Sequence, residues 1–251
     1  EGRLAVGLGR GTAYNIYDYQ GYGIDPQEAY ERLLESEDIM IKAWTTRDYQ
    51  HKGKFWDIRL PQLRPTPYTK PHPAIVRACA GEEAMLGMAR EGRPFLMNIQ
   101  SNEVTRNRMD LYRKTLRESG YDEATVARCV DQTWIWRNVF VAETDADAER
   151  LALPAFETQQ AFRQAMRKKV YEEQGLLLKQ ETGPVARNDA RHSMIYGSPA
   201  TVAKAIAEID SIGVGGLLMV FRIGPMPYEI AERSISLFMQ EVAPRFRSTR
   251  A

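Results

Sequence analysis

Short apolar runs alternate along the chain with longer runs in which apolar residues recur every three or four positions. The short runs are typical of buried strands, and the longer ones are typical of amphipathic helices. Five strand-like runs are each followed by a helical run, at residues 4–8, 74–79, 95–99, 135–141 and 217–221. This alternation predicts an α/β fold with a parallel sheet. Parallel βα units either wind around an open sheet or close into a barrel, and a closed barrel of this type has eight strands.

The helix after the first strand has a clear start signal. Asp25 is placed to cap it, and Pro26 occupies the first helical position. Apolar residues then recur at helical spacing as far as Trp44, which predicts a long helix packed against the sheet. Residues 46–73 contain five prolines and therefore cannot form one continuous helix. Within that segment, residues 53–56 are compatible with a short hairpin or an edge strand.

Composition and charge exclude some classes of function. The 251 residues include 34 basic and 33 acidic side chains, so the net charge of +1 favours neither nucleic acid nor an acidic membrane surface as a partner. No apolar run approaches the roughly 18 residues of a membrane span. Cys79 and Cys129 form no CxxC motif, so no disulfide framework is expected and a cytoplasmic location is predicted. The three histidines are scattered and offer no metal-ligand spacing.

Five stretches of the chain occur in the order of one known protein family. They are residues 2–11, 21–28, 53–56, 70–75 and 196–202, of which the first reads GRLAVGLGRG and the last YGSPATV. In these stretches the chain resembles the bacterial luciferase-like flavin-dependent monooxygenases, and the similarity extends over essentially all 251 residues. The resemblance implies a luciferase-like (β/α)₈ TIM barrel of which this chain carries strands four to eight.

The resemblance also makes residues 1–251 a single barrel domain without its first three strands. An opened barrel exposes sheet edges and uncovered apolar faces. We therefore expect a further N-terminal segment in the working molecule, or a partner chain that fills the gap. Members of the family pair through barrel helices, so a homodimer or heterodimer is expected, with the helix from Asp25 to Trp44 as a candidate contact.

The loop of Gly9, Arg10 and Gly11 follows the first strand and is the first candidate site. Active sites of barrels form at this end of the strands, and glycines let the backbone approach a ligand. The resemblance implies that Arg10 holds the flavin phosphate, a role that suits a planar guanidinium able to bind two phosphate oxygens. The alternative is an exposed loop arginine or a helix-capping partner.

The turn after the second strand is another candidate for the flavin phosphate. Its residues are Ala78, Cys79, Ala80, Gly81 and Glu82. It leads into a helix N-terminus, where free N–H groups and the helix dipole favour an anion. The family often places serine or threonine hydroxyls here, whereas this chain has Ala80, Gly81 and Ala84, so backbone N–H groups would have to serve. Glu82 opposes a phosphate, and an ordinary helix start is the alternative reading.

Polar side chains at the end of the third strand are candidates for contacts at the barrel mouth. The alternation of residues 95–100 places Asn98 and Gln100 on one face. Their amides are able to bond a flavin ring or a substrate. A satisfied polar layer in the barrel core is the alternative.

The polar segment of residues 181–197 is predicted to be a loop that closes over the active site as a mobile lid. Arg191 and His192 are its candidate substrate-binding residues, and a solvated surface loop is the alternative. Arg222 follows the last strand and is a further candidate for a substrate or phosphate, with a surface ion pair as the alternative.

The implied reaction is monooxygenation of a small organic substrate by O2 and reduced FMN, with the FMN supplied by a separate flavin reductase. A second hypothesis is an oxidoreductase of the same fold that uses the deazaflavin F420 for hydride transfer. A third is a non-catalytic flavin-binding homologue or the partner subunit of a heterodimer. No catalytic residue is assigned, because the resemblance places the family's key histidine and carboxylate residues in the absent strands.

Overall fold

The computed structural model describes residues 2–12, 15–175 and 189–246. The chain divides into two compact units, Glu1–Cys79 and Ala80–Ala251. Each unit contains parallel strands that are separated in sequence by helices, so the predicted α/β class is confirmed. None of the helices in the described ranges is both long and apolar enough to traverse a bilayer.

The first unit is built on two parallel strands. Its elements in chain order are β1 (Ala5–Leu8), α1 (Ile16–Gln20), α2 (Ala29–Thr45), β2 (Tyr49–Lys52), β3 (Asp57–Leu60) and β4 (Ala74–Cys79). β1 runs parallel to β4, with Leu8 opposite Arg77. β2 and β3 form an antiparallel hairpin whose turn is residues 53–56, so the hairpin is the one of the two structures left open by the sequence that the chain adopts.

The start of α2 matches the predicted cap with a short extension. The Asp25 carboxylate accepts a hydrogen bond of 2.8 Å from the backbone N–H two residues further on, and Pro26 opens a 3-10 turn, so the α-helix begins at Ala29. Glu37 lies buried on α2 and forms an ion pair with Arg77 on β4. Because a buried carboxylate needs a partner, this pair ties α2 to the β1–β4 pair in a defined register.

The second unit is centred on β6 (Trp134–Val141). Three strands pair with β6 in parallel: β5 (Phe95–Met97), β7 (Met194–Gly197) and β8 (Gly216–Val220). Its helices are α3 (Glu82–Arg90), α4 (Asn102–Glu118), α5 (Glu123–Asp131), α6 (Asp145–Glu173), α7 (Ala190–Ser193), α8 (Pro199–Asp210) and α9 (Tyr228–Leu237). A π-helical turn and a 3-10 turn extend the last helix to Phe246.

The core of the second unit surrounds β6. Ile135 and Val139 have no exposed surface, whereas Trp134 at the start of the strand is 42% exposed. Near the other end, Phe140 belongs to an apolar cluster that joins α6, β7 and α9. This packing fixes the carboxyl end of β6, and the loops that follow β5 and β8 leave from the same end because the strands are parallel.

The segment of residues 181–197 differs from the sequence expectation. It was expected to form a loop, but Met194–Gly197 forms β7, because Met194 and Ile195 are buried against β6. A four-residue strand gives too short a pattern to separate from a loop.

Candidate functional site

The first candidate loop lies at the carboxyl ends of two adjacent strands. Because β1 and β4 are parallel neighbours, Gly9, Arg10 and Gly11 leave the sheet beside Ala78 and Cys79. A Cβ atom built on Gly9 would lie 3.8 Å from the Cβ of Ala78, which is ordinary van der Waals contact. Five of the predicted cofactor residues therefore meet at one edge of the first unit.

The side chain of Arg10 is exposed. Within the described ranges its guanidinium donates no hydrogen bond and forms no salt bridge, and its backbone carbonyl is the only Arg10 group with a bonded partner. A guanidinium without an acidic neighbour keeps its full charge and its planar set of donors available for an anion. This arrangement suits a phosphate better than it suits a surface ion pair.

A buried tyrosine holds the backbone of the Arg10 loop. Tyr19 on α1 is 8% exposed, and its hydroxyl donates a hydrogen bond of 2.6 Å to the carbonyl oxygen of Arg10. Burial raises the pKa of Tyr19 above its ordinary value, while the positive charge of Arg10 lowers it and the negative charge of Asp18 raises it. The phenol therefore remains a hydrogen-bond donor at neutral pH.

Glycine is required at position 11 for two reasons. Its φ of +79° lies in the left-handed region, which residues with a Cβ adopt at a cost. A Cβ atom there would also lie 2.8 Å from the hydroxyl oxygen of Tyr19. The close approach of Tyr19 to the loop thus depends on Gly11.

Thr12 is a site residue that the sequence analysis missed. Its hydroxyl oxygen is buried and has no hydrogen-bond partner among the residues that the structure describes. Its backbone carbonyl accepts the N–H of Asn15 at 3.0 Å, which fixes the chain on the far side of the loop. A buried hydroxyl without a partner costs stability, so it calls for an acceptor such as a phosphate oxygen or a water. The feature of the sequence that could have indicated Thr12 is its hydroxyl group, two residues after Arg10.

The second candidate turn begins α3 in the second unit. Gly81 is the N-cap and provides no side-chain cap, so the first N–H groups of α3 lack the usual partner. A Cβ built on Gly81 would meet no atom within 4 Å, so the backbone is open to approach. Glu82 and Glu83 occupy the first turn, and the carbonyl of Ala80 accepts a hydrogen bond from Arg108. No serine or threonine stands at this turn. The donors that it offers an anion are backbone N–H groups, and two acidic residues lie beside them.

The predicted amide pair is present at the end of β5. The strand ends at Met97 rather than at residue 99, and Asn98 follows it directly. Gln100 donates a hydrogen bond of 3.0 Å from its amide to the Asn98 side-chain oxygen, and both residues are half-buried. This bond holds the two amides together and leaves the Asn98 NH₂ group free to face a ligand.

Each of the three residues proposed for substrate or lid contacts forms a bond with a residue close to it in the sequence. Arg191 forms a salt bridge of 2.6 Å with Asp189, whose pKa is lowered to about 2 by the hydrogen bonds from Arg191. His192 is half-buried in α7. Arg222 donates a hydrogen bond of 3.3 Å to the carbonyl of Met226. Residues 181–188 of the predicted lid lie outside the described residues.

Arg137 on β6 is another arginine without an acidic partner among the described residues. It is 2% exposed, and burial lowers its pKa to about 10. Its donors meet the Trp136 carbonyl at 2.8 Å and, more weakly, the side chains of Asn102 and Thr105 on α4. Because it is enclosed, Arg137 is less accessible to a ligand than the exposed Arg10. The described residues also contain no group of three or more His, Cys, Asp or Glu that could hold a metal ion.

A sequence model of the luciferase-like monooxygenases matches residues 1–215. Among characterised relatives, 2,5-diketocamphane 1,2-monooxygenase 2 of Pseudomonas putida is 24% identical over 167 residues, which are 61% of this chain and 44% of that protein. The chain thus spans less than half the length of that relative.

Solved structures give the same fold. Monooxygenase RslO1 from Streptomyces bottropensis aligns with a TM-score of 0.71 at 22% identity, over 98% of this chain and 69% of that one. The oxygenating constituent of 3,6-diketocamphane monooxygenase of Pseudomonas putida, in complex with FMN, aligns with a TM-score of 0.60 at 20% identity, over 95% and 70%. An F420-dependent secondary alcohol dehydrogenase gives 0.65 at 15% identity, over 96% and 69%. These likenesses confirm the predicted luciferase-like TIM-barrel type of fold.

Proposed function

Since the chain belongs to the luciferase-like monooxygenase family, we propose that it is the oxygenase part of an enzyme that uses reduced FMN and O2 to oxidise a small organic substrate. The observation that carries this proposal is the Arg10 loop. At the carboxyl end of a parallel strand it combines an exposed guanidinium and a buried hydroxyl on Thr12, neither of which has a partner within the described part of the chain.

In this proposal the Arg10 loop binds the FMN phosphate. The Arg10 guanidinium supplies charge and paired donors, and Thr12 supplies a hydroxyl hydrogen bond. Gly9 and Gly11 let the backbone approach the phosphate, and the small side chain of Ala78 leaves space beside it. The N–H groups at the start of α3 in the second unit are the alternative set of donors for the phosphate, and the charge of Glu82 opposes binding there.

Reduced FMN, delivered by a separate flavin reductase, supplies the two electrons with which O2 is activated when one oxygen atom enters the substrate and the other leaves as water. The residues of this chain bind and orient the flavin and the substrate, and they shield them from water. Asn98, held by Gln100, orients the flavin ring or the substrate through its free amide. Arg191, His192 and Arg222 contact the substrate and help to exclude water from it.

The proposal also assigns the whole chain to one barrel domain, as its strands four to eight, and assigns the working enzyme to a homodimer or heterodimer. The fold similarity over 69% and 70% of two monooxygenase structures supports the first assignment. Sedimentation of the purified protein with and without FMN measures whether it forms a dimer.

The proposed function is tested by comparing FMN with riboflavin, which has the same ring system but no phosphate. Equilibrium binding is measured for the wild-type protein, for Arg10→Ala, and for Arg47→Ala as a matched control at another exposed arginine of the first unit. Because Arg10 makes charge-assisted hydrogen bonds to the phosphate, Arg10→Ala weakens FMN binding by about thirtyfold and leaves riboflavin binding unchanged. Equal effects on the two flavins, or no effect, would overturn the proposal.

A second candidate function is F420-dependent hydride transfer. It is favoured by the α3 turn, which lacks side-chain hydroxyls, and by the fold similarity to an F420-dependent secondary alcohol dehydrogenase. Turnover separates the candidates. Oxygen uptake that requires a flavin reductase, FMN and an organic substrate supports the monooxygenase, whereas F420 reduction by a secondary alcohol without oxygen uptake supports the alternative. Flavin binding without either activity supports a non-catalytic homologue.

A further inference from the structure

Among the residues that the structure describes, the hydroxyl of Tyr19 has a single bonding partner, and that partner is the backbone of the loop that carries Arg10. The bond to the Arg10 carbonyl is 2.6 Å long and links two segments nine residues apart. A buried tyrosine hydroxyl needs an acceptor, but many carbonyls could satisfy it. Because the acceptor is the Arg10 carbonyl, this hydrogen bond holds the peptide group between Arg10 and Gly11.

Tyr19 is itself held in place from the other side. Its backbone carbonyl accepts hydrogen bonds from the N–H groups of Tyr22, at 3.1 Å, and Ile24, at 3.0 Å. This turn leads directly to Asp25, which caps the 3-10 turn that precedes α2. The ring of Tyr19 is 8% exposed, so its packing also restricts it. Tyr19 is therefore a rigid support rather than a side chain that follows the loop.

We propose that Tyr19 is a positioning residue that prepares the Arg10 loop for the phosphate of a phosphorylated flavin. This inference rests on the proposed function of Arg10. By fixing the peptide between Arg10 and Gly11, the Tyr19 hydroxyl aims the Arg10 side chain and the unpaired Thr12 hydroxyl at one anion. A loop that is fixed before binding loses less conformational entropy when the ligand arrives.

We expect the Tyr19 hydroxyl to affect the binding of FMN and not the binding of riboflavin. Tyr19 touches the loop backbone, so its hydroxyl supports only the contacts that the loop makes. The affinity for FMN depends on it, and the affinity for riboflavin, which has no phosphate, does not. A purely structural tyrosine would affect both flavins alike through the stability of the first unit.

The experiment removes the hydroxyl and keeps the ring. FMN and riboflavin dissociation constants are measured for wild-type protein, Tyr19→Phe, Arg10→Ala and the double variant. Tyr22→Phe is the control, because Tyr22 lies in the same turn and is 84% exposed. We expect Tyr19→Phe to weaken FMN binding about fivefold, since it removes one hydrogen bond, and to change riboflavin binding less than about twofold.

The double variant tests whether Tyr19 acts through Arg10. If it does, Tyr19→Phe causes no further loss of FMN affinity in the Arg10→Ala protein. Gly11→Ala is a second route to the same loop, because its Cβ would displace the Tyr19 hydroxyl, and it should weaken FMN selectively without altering Tyr19. Circular dichroism of each variant verifies that it is folded.

The inference is overturned if Tyr19→Phe weakens both flavins equally, if it leaves FMN binding unchanged, or if its effect adds fully to that of Arg10→Ala. Its failure is separate from that of the proposed function. When Arg10→Ala distinguishes FMN from riboflavin but Tyr19→Phe does not, only the role of Tyr19 is lost. When Arg10→Ala fails to distinguish them, the phosphate site itself is lost.

Discussion

Two turns of this chain follow parallel strands and are candidates for the same phosphate, but they differ in what they offer an anion. The Arg10 loop in the first unit presents a backbone fixed by Tyr19, together with a guanidinium and a hydroxyl that have no partner among the residues described in ranges 2–12, 15–175 and 189–246. The α3 turn in the second unit presents only backbone N–H groups, with Glu82 and Glu83 beside them. The position of a turn at a strand end is therefore not sufficient, because the side chains decide how strongly each turn attracts an anion.

The largest expected effect comes from reversing the charge of the first turn. Arg10→Glu replaces an attractive guanidinium with a repulsive carboxylate, so FMN affinity should fall by more than about a hundredfold. Fluorescence titration measures it, with Arg47→Glu as the control for a change in net charge. If FMN affinity falls no further than in the control, the phosphate binds elsewhere and the α3 turn becomes the better candidate.

Thr12→Val is the next largest change, because it replaces the unpaired hydroxyl by a methyl group of similar size. FMN affinity should fall about tenfold, since a hydrogen bond to a charged phosphate is lost. The protein without flavin should become slightly more stable, because a buried hydroxyl without a partner is removed. Thermal unfolding and FMN titration are compared with those of Thr66→Val, which alters an exposed threonine. Lower stability together with unchanged FMN affinity would contradict the role of Thr12.

Because Tyr19 holds the Arg10 loop, FMN binding at this loop is expected to depend on pH. Its pKa is raised above the ordinary value of 10.0, because burial disfavours the phenolate. The hydrogen bond to Arg10 is therefore fully present below the ordinary value and is lost as the pH rises through the raised pKa. The ratio of riboflavin to FMN dissociation constants should be constant between about pH 7 and pH 9 and should fall by about fivefold at higher pH.

The same ratio in Tyr19→Phe should be low at every pH and should show no fall above pH 10. Taking the ratio removes ionisation of the flavin ring, which both ligands share. A parallel fall in the variant would show that a group other than Tyr19 is responsible.

The smallest expected effect concerns the second turn. Glu82→Ser removes a negative charge and adds a hydroxyl at the start of α3, yet FMN affinity should improve by less than about threefold, because the Arg10 loop supplies most of the attraction. Glu83→Ser is the comparison, although it also removes a salt bridge to Arg90. An improvement of more than about tenfold in Glu82→Ser would mean that the α3 turn holds the phosphate and that its acidic residue limits the natural affinity.

Local order in the sequence was sufficient to predict the cap at Asp25 and to single out one candidate loop. An arginine between two glycines, directly after a strand, marks the Arg10 loop as a candidate, and the family resemblance supplies its expected role, whereas residues 53–56 were left open between a hairpin and an edge strand. The five strands were located to within two residues at each end. These features are encoded by neighbouring residues, so no knowledge of tertiary contacts was needed.

The remaining features depend on contacts between distant segments. The sequence does not reveal that the Tyr19 hydroxyl meets the Arg10 carbonyl, since the contact depends on how α1 folds back over the loop. Nor does it reveal that the Thr12 hydroxyl is buried without a partner, because burial is a property of the assembled unit. The ion pair of Glu37 with Arg77 joins residues forty positions apart and was missed for the same reason.

The most direct test of the account is a structure of the protein with FMN bound. We expect the phosphate to lie at the carboxyl end of β1, with oxygens about 2.7 to 2.9 Å from the Arg10 guanidinium and within hydrogen-bond distance of the Thr12 hydroxyl. The Tyr19 hydroxyl should remain bonded to the Arg10 carbonyl. A phosphate bound away from Arg10, with the Arg10 side chain still without a partner, would contradict it.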